Sequence, residues 1–114
     1  MTNQVPSTTE IIFFNAQTAN ATSTPLSFIF PMGSAVVKFW GTWDGATVRF
    51  QTAATPLDKN YFIYVPDLNG DTAIFVADGQ VNLESMVYGD LLQCIVSNVG
   101  GSTSLNVTAQ VIRG

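Results

Sequence analysis

The stretch from Val36 to Gln51, VVKFWGTWDGATVRFQ, constrains this chain more than any other. Two runs rich in β-branched and aromatic residues flank Asp44-Gly45, a dipeptide that accepts the positive φ angles of a two-residue type I′ turn. The pattern predicts a β-hairpin. In its register Phe39 faces Phe50, Val37 faces Thr52, Gly41 faces Val48 and Trp43 faces Ala46, whereas Trp40 opposes Arg49 and Lys38 opposes Gln51. Val37, Phe39, Trp43, Val48 and Phe50 then share a core face, and Lys38, Trp40, Arg49 and Gln51 share a polar one.

Gly100-Gly101 divides a second stretch in the same way. Leu91 to Val99 and Ser102 to Ile112 predict another hairpin, with Val96 opposite Leu105, Cys94 opposite Val107 and Leu92 opposite Ala109. Ile95 falls on its polar side. Shorter apolar runs bounded by turn residues predict strands at Ile11 to Asn15, Leu26 to Phe30, Tyr61 to Val65, Thr72 to Ala77 and Gln80 to Leu83. Ala16 to Thr24 reads as a loop, Asp78-Gly79 as a tight turn, and Glu84 to Asp90 as a helical turn at most. About eight or nine strands and no amphipathic helix define an all-β chain, a single antiparallel β-sandwich of jelly-roll or immunoglobulin-like order. Residues 1–10 are polar, contain Pro6 and read as an extended N-terminal arm, leaving 11–114 as the sandwich domain.

At 114 residues the chain suits one core. A net charge of −4 with four scattered basic residues offers no stripe to neutralise phosphates, so nucleic acid is not an expected partner. Charged residues make up 11% of the chain, well under the roughly 25% of ordinary soluble domains, and Thr, Ser, Asn and Gln supply the polarity instead. No apolar run approaches the ~20 residues of a membrane-spanning helix, so a membrane is not an expected partner. The opening residues lack a basic and apolar leader, and the lone Cys94 cannot form an intrachain disulfide, so a secretory route is not expected.

The same inventory argues against catalysis. Histidine is absent, which removes the usual general base at neutral pH and the commonest zinc ligand. Cys94 alternates with the core-facing Leu92 and Val96 and reads as core filler rather than a nucleophile. Asp44, Asp67, Asp71, Asp78 and Asp90 sit at or beside turns, where carboxylates cap backbone N–H groups. The Asp67-Leu68-Asn69-Gly70-Asp71 run lacks the ligand spacing and terminal Glu of a calcium loop, so no metal or other cofactor is expected. Trp40 admits two readings: a contact residue stacked on Arg49, or a side chain covered by the protein's own arm or loops.

Several segments together resemble a family. Gly41-Thr42-Trp43-Asp44-Gly45-Ala46-Thr47-Val48, Tyr64-Val65-Pro66-Asp67, Ala77-Asp78-Gly79-Gln80-Val81-Asn82-Leu83 and the closing strand Leu92-Gln93-Cys94-Ile95-Val96-Ser97-Asn98 are similar to small β-sandwich virion proteins of tailed bacteriophages. The resemblance runs from about Val36 to Arg113 and rests on turns and strands rather than on an active-site motif. Gln93 stands where such proteins often carry Arg, and the Trp they often place near Tyr61 to Tyr64 is absent. The resemblance implies a structural virion component on the capsid exterior, a decoration (cement) protein bound to the major capsid protein and self-associated as a trimer or other homo-oligomer. Its expected contact residues are Lys38, Trp40, Arg49 and Ile95 of the domain, with Val5, Pro6, Ile11 and Ile12 from the arm and the strand that follows it. Two rival readings stand beside it. One is a head–tail junction, tail or fibre-associated protein, and the other is a carbohydrate-binding module using Trp40, Trp43 and the Tyr61 to Tyr64 aromatics.

Overall fold

A computed structural model of the chain describes residues 8–27, 34–53, 62–84 and 91–112. Within them nine strands form: β1 (Thr8–Gln17), β2 (Ala21–Thr22), β3 (Leu26–Ser27), β4 (Ser34–Thr42), β5 (Thr47–Ala53), β6 (Ile63–Tyr64), β7 (Gly79–Glu84), β8 (Leu91–Ser97) and β9 (Ser104–Ile112). One sheet has the order β1-β9-β4-β7, and the other runs β2-β8-β5-β6 with β3 also on β8. Every pairing is antiparallel. Taken as two pieces of one interrupted strand, β2 and β3 complete a jelly roll, in which the chain changes sheet at nearly every connection. That order decides between the two sandwich types in favour of the jelly roll.

Neither expected hairpin forms. Strand β4 pairs with β9 and β7 in one sheet, and β5 pairs with β8 and β6 in the other. Strands β8 and β9 are likewise divided between the sheets. The Asp44-Gly45 turn itself is as expected, with φ of 45° and 84° and the Ala46 N–H donating to the Trp43 carbonyl at 2.9 Å. Beyond that one bond the strands part and face each other across the core instead of bonding side by side. Both arrangements bury the same alternate residues, which is why the faces were legible while the partners were not.

The buried set follows that alternation. Ala35, Val37 and Phe39 of β4, Val48, Phe50 and Thr52 of β5, Leu92, Cys94 and Val96 of β8, and Leu105, Val107, Ala109 and Val111 of β9 all point inward. At its centre Phe39 from one sheet meets Phe50 from the other at 6.1 Å between ring centroids, with Phe75 at 4.7 Å from Phe39. Trp43 is half-buried rather than fully inside, edge-on to Phe39 at 6.2 Å, and its indole N–H donates to Asp78 at 2.8 Å.

Other expectations change in detail. Strand β1 begins at Thr8, so Thr8, Thr9 and Glu10 of the expected arm pair with Ile112, Val111 and Gln110; residues 1–7 lie outside the described residues. The Thr72 to Ala77 run makes only two isolated bridges, Pro66 with Thr72 and Val48 with Phe75, and β7 pairs with β4 instead of with it. The Ala16 to Thr24 loop contains β2. The helical turn expected at Glu84 to Asp90 falls almost wholly outside the described residues, and Glu84 itself ends β7.

The two sheet-changing loops brace one another at one end of the molecule. The Ser102 N–H donates to Asp44 Oδ2 at 2.8 Å, and the Thr103 hydroxyl donates to the Trp43 carbonyl at 2.8 Å. Gly100 lies against Asp44 so closely that a Cβ there would overlap the carboxylate.

Candidate interaction surfaces

The division of β4 and β5 between sheets separates the expected contact residues onto opposite faces. Lys38 and Trp40 lie on the outer face of the β1-β9-β4-β7 sheet, where Trp40 is 42% exposed beside Asn106, its register neighbour on β9. Ile12, 60% exposed, shares this face: Ile12, Thr108, Lys38 and Gln80 form one row across its four strands. Around them stand Asn106, Gln110 and Asn82, with Glu10 beside Gln110, so the surface is mostly amides and hydroxyls with one ammonium and one carboxylate among the aliphatic and indole groups. Ile11, the next residue along, turns inward and packs against the core.

Arg49 and Ile95 are register neighbours on the outer face of the other sheet. The expected Trp40–Arg49 stack therefore does not exist, because the sandwich lies between the two side chains. Arg49 stacks instead on Tyr64, 5.0 Å from its ring centroid, and donates to the Ser97 hydroxyl at 3.1 Å. Its Nε is buried and meets no hydrogen-bond acceptor among the described residues. Next to it Gln93 donates to Gln51 at 2.7 Å, and the Thr47 and Ser97 hydroxyls lie 2.9 Å apart. Tyr64 was within reach of sequence reasoning only as one aromatic in a strand; its pairing with Arg49 depends on β6 lying beside β5, which no local pattern encodes. Val5 and Pro6 lie outside the described residues.

Among the described residues no three His, Cys, Asp or Glu side chains gather as a metal site. Asp67 Oδ1 is occupied by the N–H groups of Asn69 at 2.8 Å and Asp71 at 3.1 Å, which closes its own loop. Asp78 is likewise engaged, accepting from the Gly41 N–H at 3.1 Å as well as from Trp43. Cys94 is buried and desolvation drives its thiol pKa far upward, the reverse of what activates a nucleophile. Of the aromatics that a sugar would stack on, those among the described residues are dispersed: Trp40 and Tyr64 are on opposite faces, and Trp43 is held edge-on to the core, while Tyr61 lies outside the described residues.

A separate apolar feature lies on the flank where the two sheets end at β6 and β7. A groove of about 440 Å³ opens there, lined by Val65, Ala73 and Phe75 on one side and by Val81 and Leu83 on the other. Leu68, Ile74 and Val76 are exposed along the same segment.

No protein-family model and no curated protein sequence matches this chain. Among solved structures, the crystal structure of the SPBc2 prophage-derived protein YomS is similar to it, with a TM-score of 0.75 at 13% sequence identity over 99% of this chain and 99% of that one. The two proteins share one fold from end to end.

Proposed function

We propose that this chain is a structural protein of a bacteriophage particle, without catalysis of its own, and that it serves as a decoration protein on the outer surface of the capsid. The observation that carries the reading is the end-to-end jelly-roll likeness to a prophage-derived protein. The surface chemistry supports it. Two broad outer faces of amides and hydroxyls, with few charges and isolated apolar or aromatic residues such as Ile12 and Trp40, suit wet, modest contacts to the major capsid protein and to further copies of the chain. Such contacts gain their strength from repetition, since symmetry presents each one many times on a shell.

The test is binding to purified shells together with a count of copies per particle. Decoration requires a copy number that follows the capsomers. A count matching one ring at a single vertex would replace this reading with a head–tail or tail position. Trp40→Ala, on the exposed face, is expected to weaken shell binding by about 1–2 kcal/mol while leaving the fold intact. Unchanged binding would remove that face from the contact.

A further inference from the structure

We propose that the chain pairs with a second copy of itself along β7, edge to edge and antiparallel, about a twofold axis that passes through Asn82. The inference deepens the self-association in the reading above and does not depend on capsid binding.

Of the sheet edges, three carry features that discourage pairing. Strand β1 breaks register twice, between Ile12 and Phe14 and between Phe14 and Gln17. Strands β2 and β3 are two residues each, with Pro25 between them. Strand β6 is two residues and runs into Pro66. Bulges, short edges and prolines are the devices that keep a sheet from recruiting another chain. Strand β7 has none of them. Its six residues keep an unbroken register with β4, from Ser34 opposite Glu84 to Phe39 opposite Gly79, and contain neither Pro nor Lys. On its other side, among the described residues, it pairs with nothing.

The sequence of β7 fits its own copy. A twofold axis normal to the sheet keeps inner residues opposite inner ones and outer opposite outer. With Asn82 on the axis, Val81 falls opposite Leu83 of the second copy, and Leu83 opposite its Val81. Both residues line the flank groove; Leu83 is already buried in its own core, and the half-buried Val81 is the side chain that a second copy would cover further. On the outer face Asn82 meets Asn82, two amides that can donate and accept to each other. Glu84 falls opposite Gln80 rather than opposite another carboxylate, in the row that continues through Gln80 to Lys38. Every pair is apolar with apolar or polar with polar, and no like charges meet. The exposed Ile74 and Val76, on the segment leading into β7, extend the apolar area beside this edge. A heterologous strand would need none of this agreement of β7 with itself, which is why the occupant is a second copy.

Cysteine placement tests both the pairing and its register. In Asn82→Cys the two introduced residues sit opposite each other, with Cα atoms about 4.5–5.5 Å apart, inside the range a disulfide spans. In Gln80→Cys they are roughly 13 Å apart and cannot join. Oxidation followed by non-reducing electrophoresis should therefore give a covalent dimer for the first variant and not for the second, and the buried Cys94 adds no background. Asn82→Lys sets two ammonium groups face to face on the axis. It should raise the dimer dissociation constant, measured by light scattering, at least tenfold, the factor that corresponds to about 1.4 kcal/mol. Circular dichroism of each variant checks that the fold is kept. A wild-type chain that stays monomeric at all concentrations, equal cross-linking at position 80, or a dimer indifferent to Asn82→Lys overturns the proposal. Shell binding by a monomeric chain would leave the capsid reading standing while this interface fell.

Discussion

Replacing Phe39 by alanine tests the idea that one side chain ties the two sheets together. Phe39 is 2% exposed and stands on β4, yet its ring lies 4.7 Å from Phe75, 6.1 Å from Phe50 and 6.2 Å from Trp43, so its contacts reach into both sheets. Truncating a buried Phe to Ala costs about 3–5 kcal/mol through lost burial and the cavity left behind. Three aromatic neighbours, each pair worth about 0.5–1.5 kcal/mol beyond its area, put this site at the upper end, about 4–5 kcal/mol. Against a total stability of about 5–15 kcal/mol that is roughly a quarter or more of the whole. Urea unfolding followed by far-UV circular dichroism should show a lowered midpoint with an unchanged slope, and the melting temperature should fall by about 15–20 °C. Far-UV detection is preferable to fluorescence because Trp43 itself touches the mutated ring. Ile12→Ala, at a residue 60% exposed, is the control and should stay within about 0.5 kcal/mol. A Phe39→Ala loss below about 1.5 kcal/mol, or one matched by the control, would refute the assignment of Phe39 as the bridge between sheets.

Gly41→Ala should destabilise by at least about 2 kcal/mol, because Gly41 holds a φ of +139° and a Cβ there would overlap the Ser104 carbonyl oxygen; Gly101→Ala, with open space around it, should be close to neutral in the same melts. Asp78→Ala removes the acceptor of both the Trp43 indole and the Gly41 N–H, and should cost about 1–2 kcal/mol with a red shift in Trp43 emission, whereas Asp78→Asn, which keeps one acceptor oxygen, should lie between the two. Cys94 should ignore a thiol reagent at neutral and mildly alkaline pH in the folded protein and react fully in denaturant, since burial holds the proton on its sulfur; fast native-state reaction would contradict its place in the core.

The candidate surfaces were legible only in part. Alternation placed Lys38 and Trp40 outward on β4, and Arg49 and Ile95 outward on β5 and β8, and all four do face away from the core. Joining Trp40 to Arg49 required a hairpin, and that inference failed because the two strands belong to different sheets. The partners that replace it, Tyr64 and Ser97 for Arg49 and Asn106 for Trp40, come from strands distant in sequence. The flank groove was not legible at all, since it is a gap between two sheet edges and belongs to no single segment.

What the sequence determined by itself was local and periodic. The positive φ angles of the Asp44-Gly45 turn, the inward set running from Val37 through Val111, and an all-β sandwich of one core follow from residue chemistry and a period of two. The tertiary structure decided how the strands were partnered. A two-residue turn can lead into a strand beside the first or into one facing it across the core, and the alternation of buried residues is the same in both cases. Only the long-range pairings of β4 with β9 and of β5 with β8 select the second, and these are contacts between residues that local sequence never brings together.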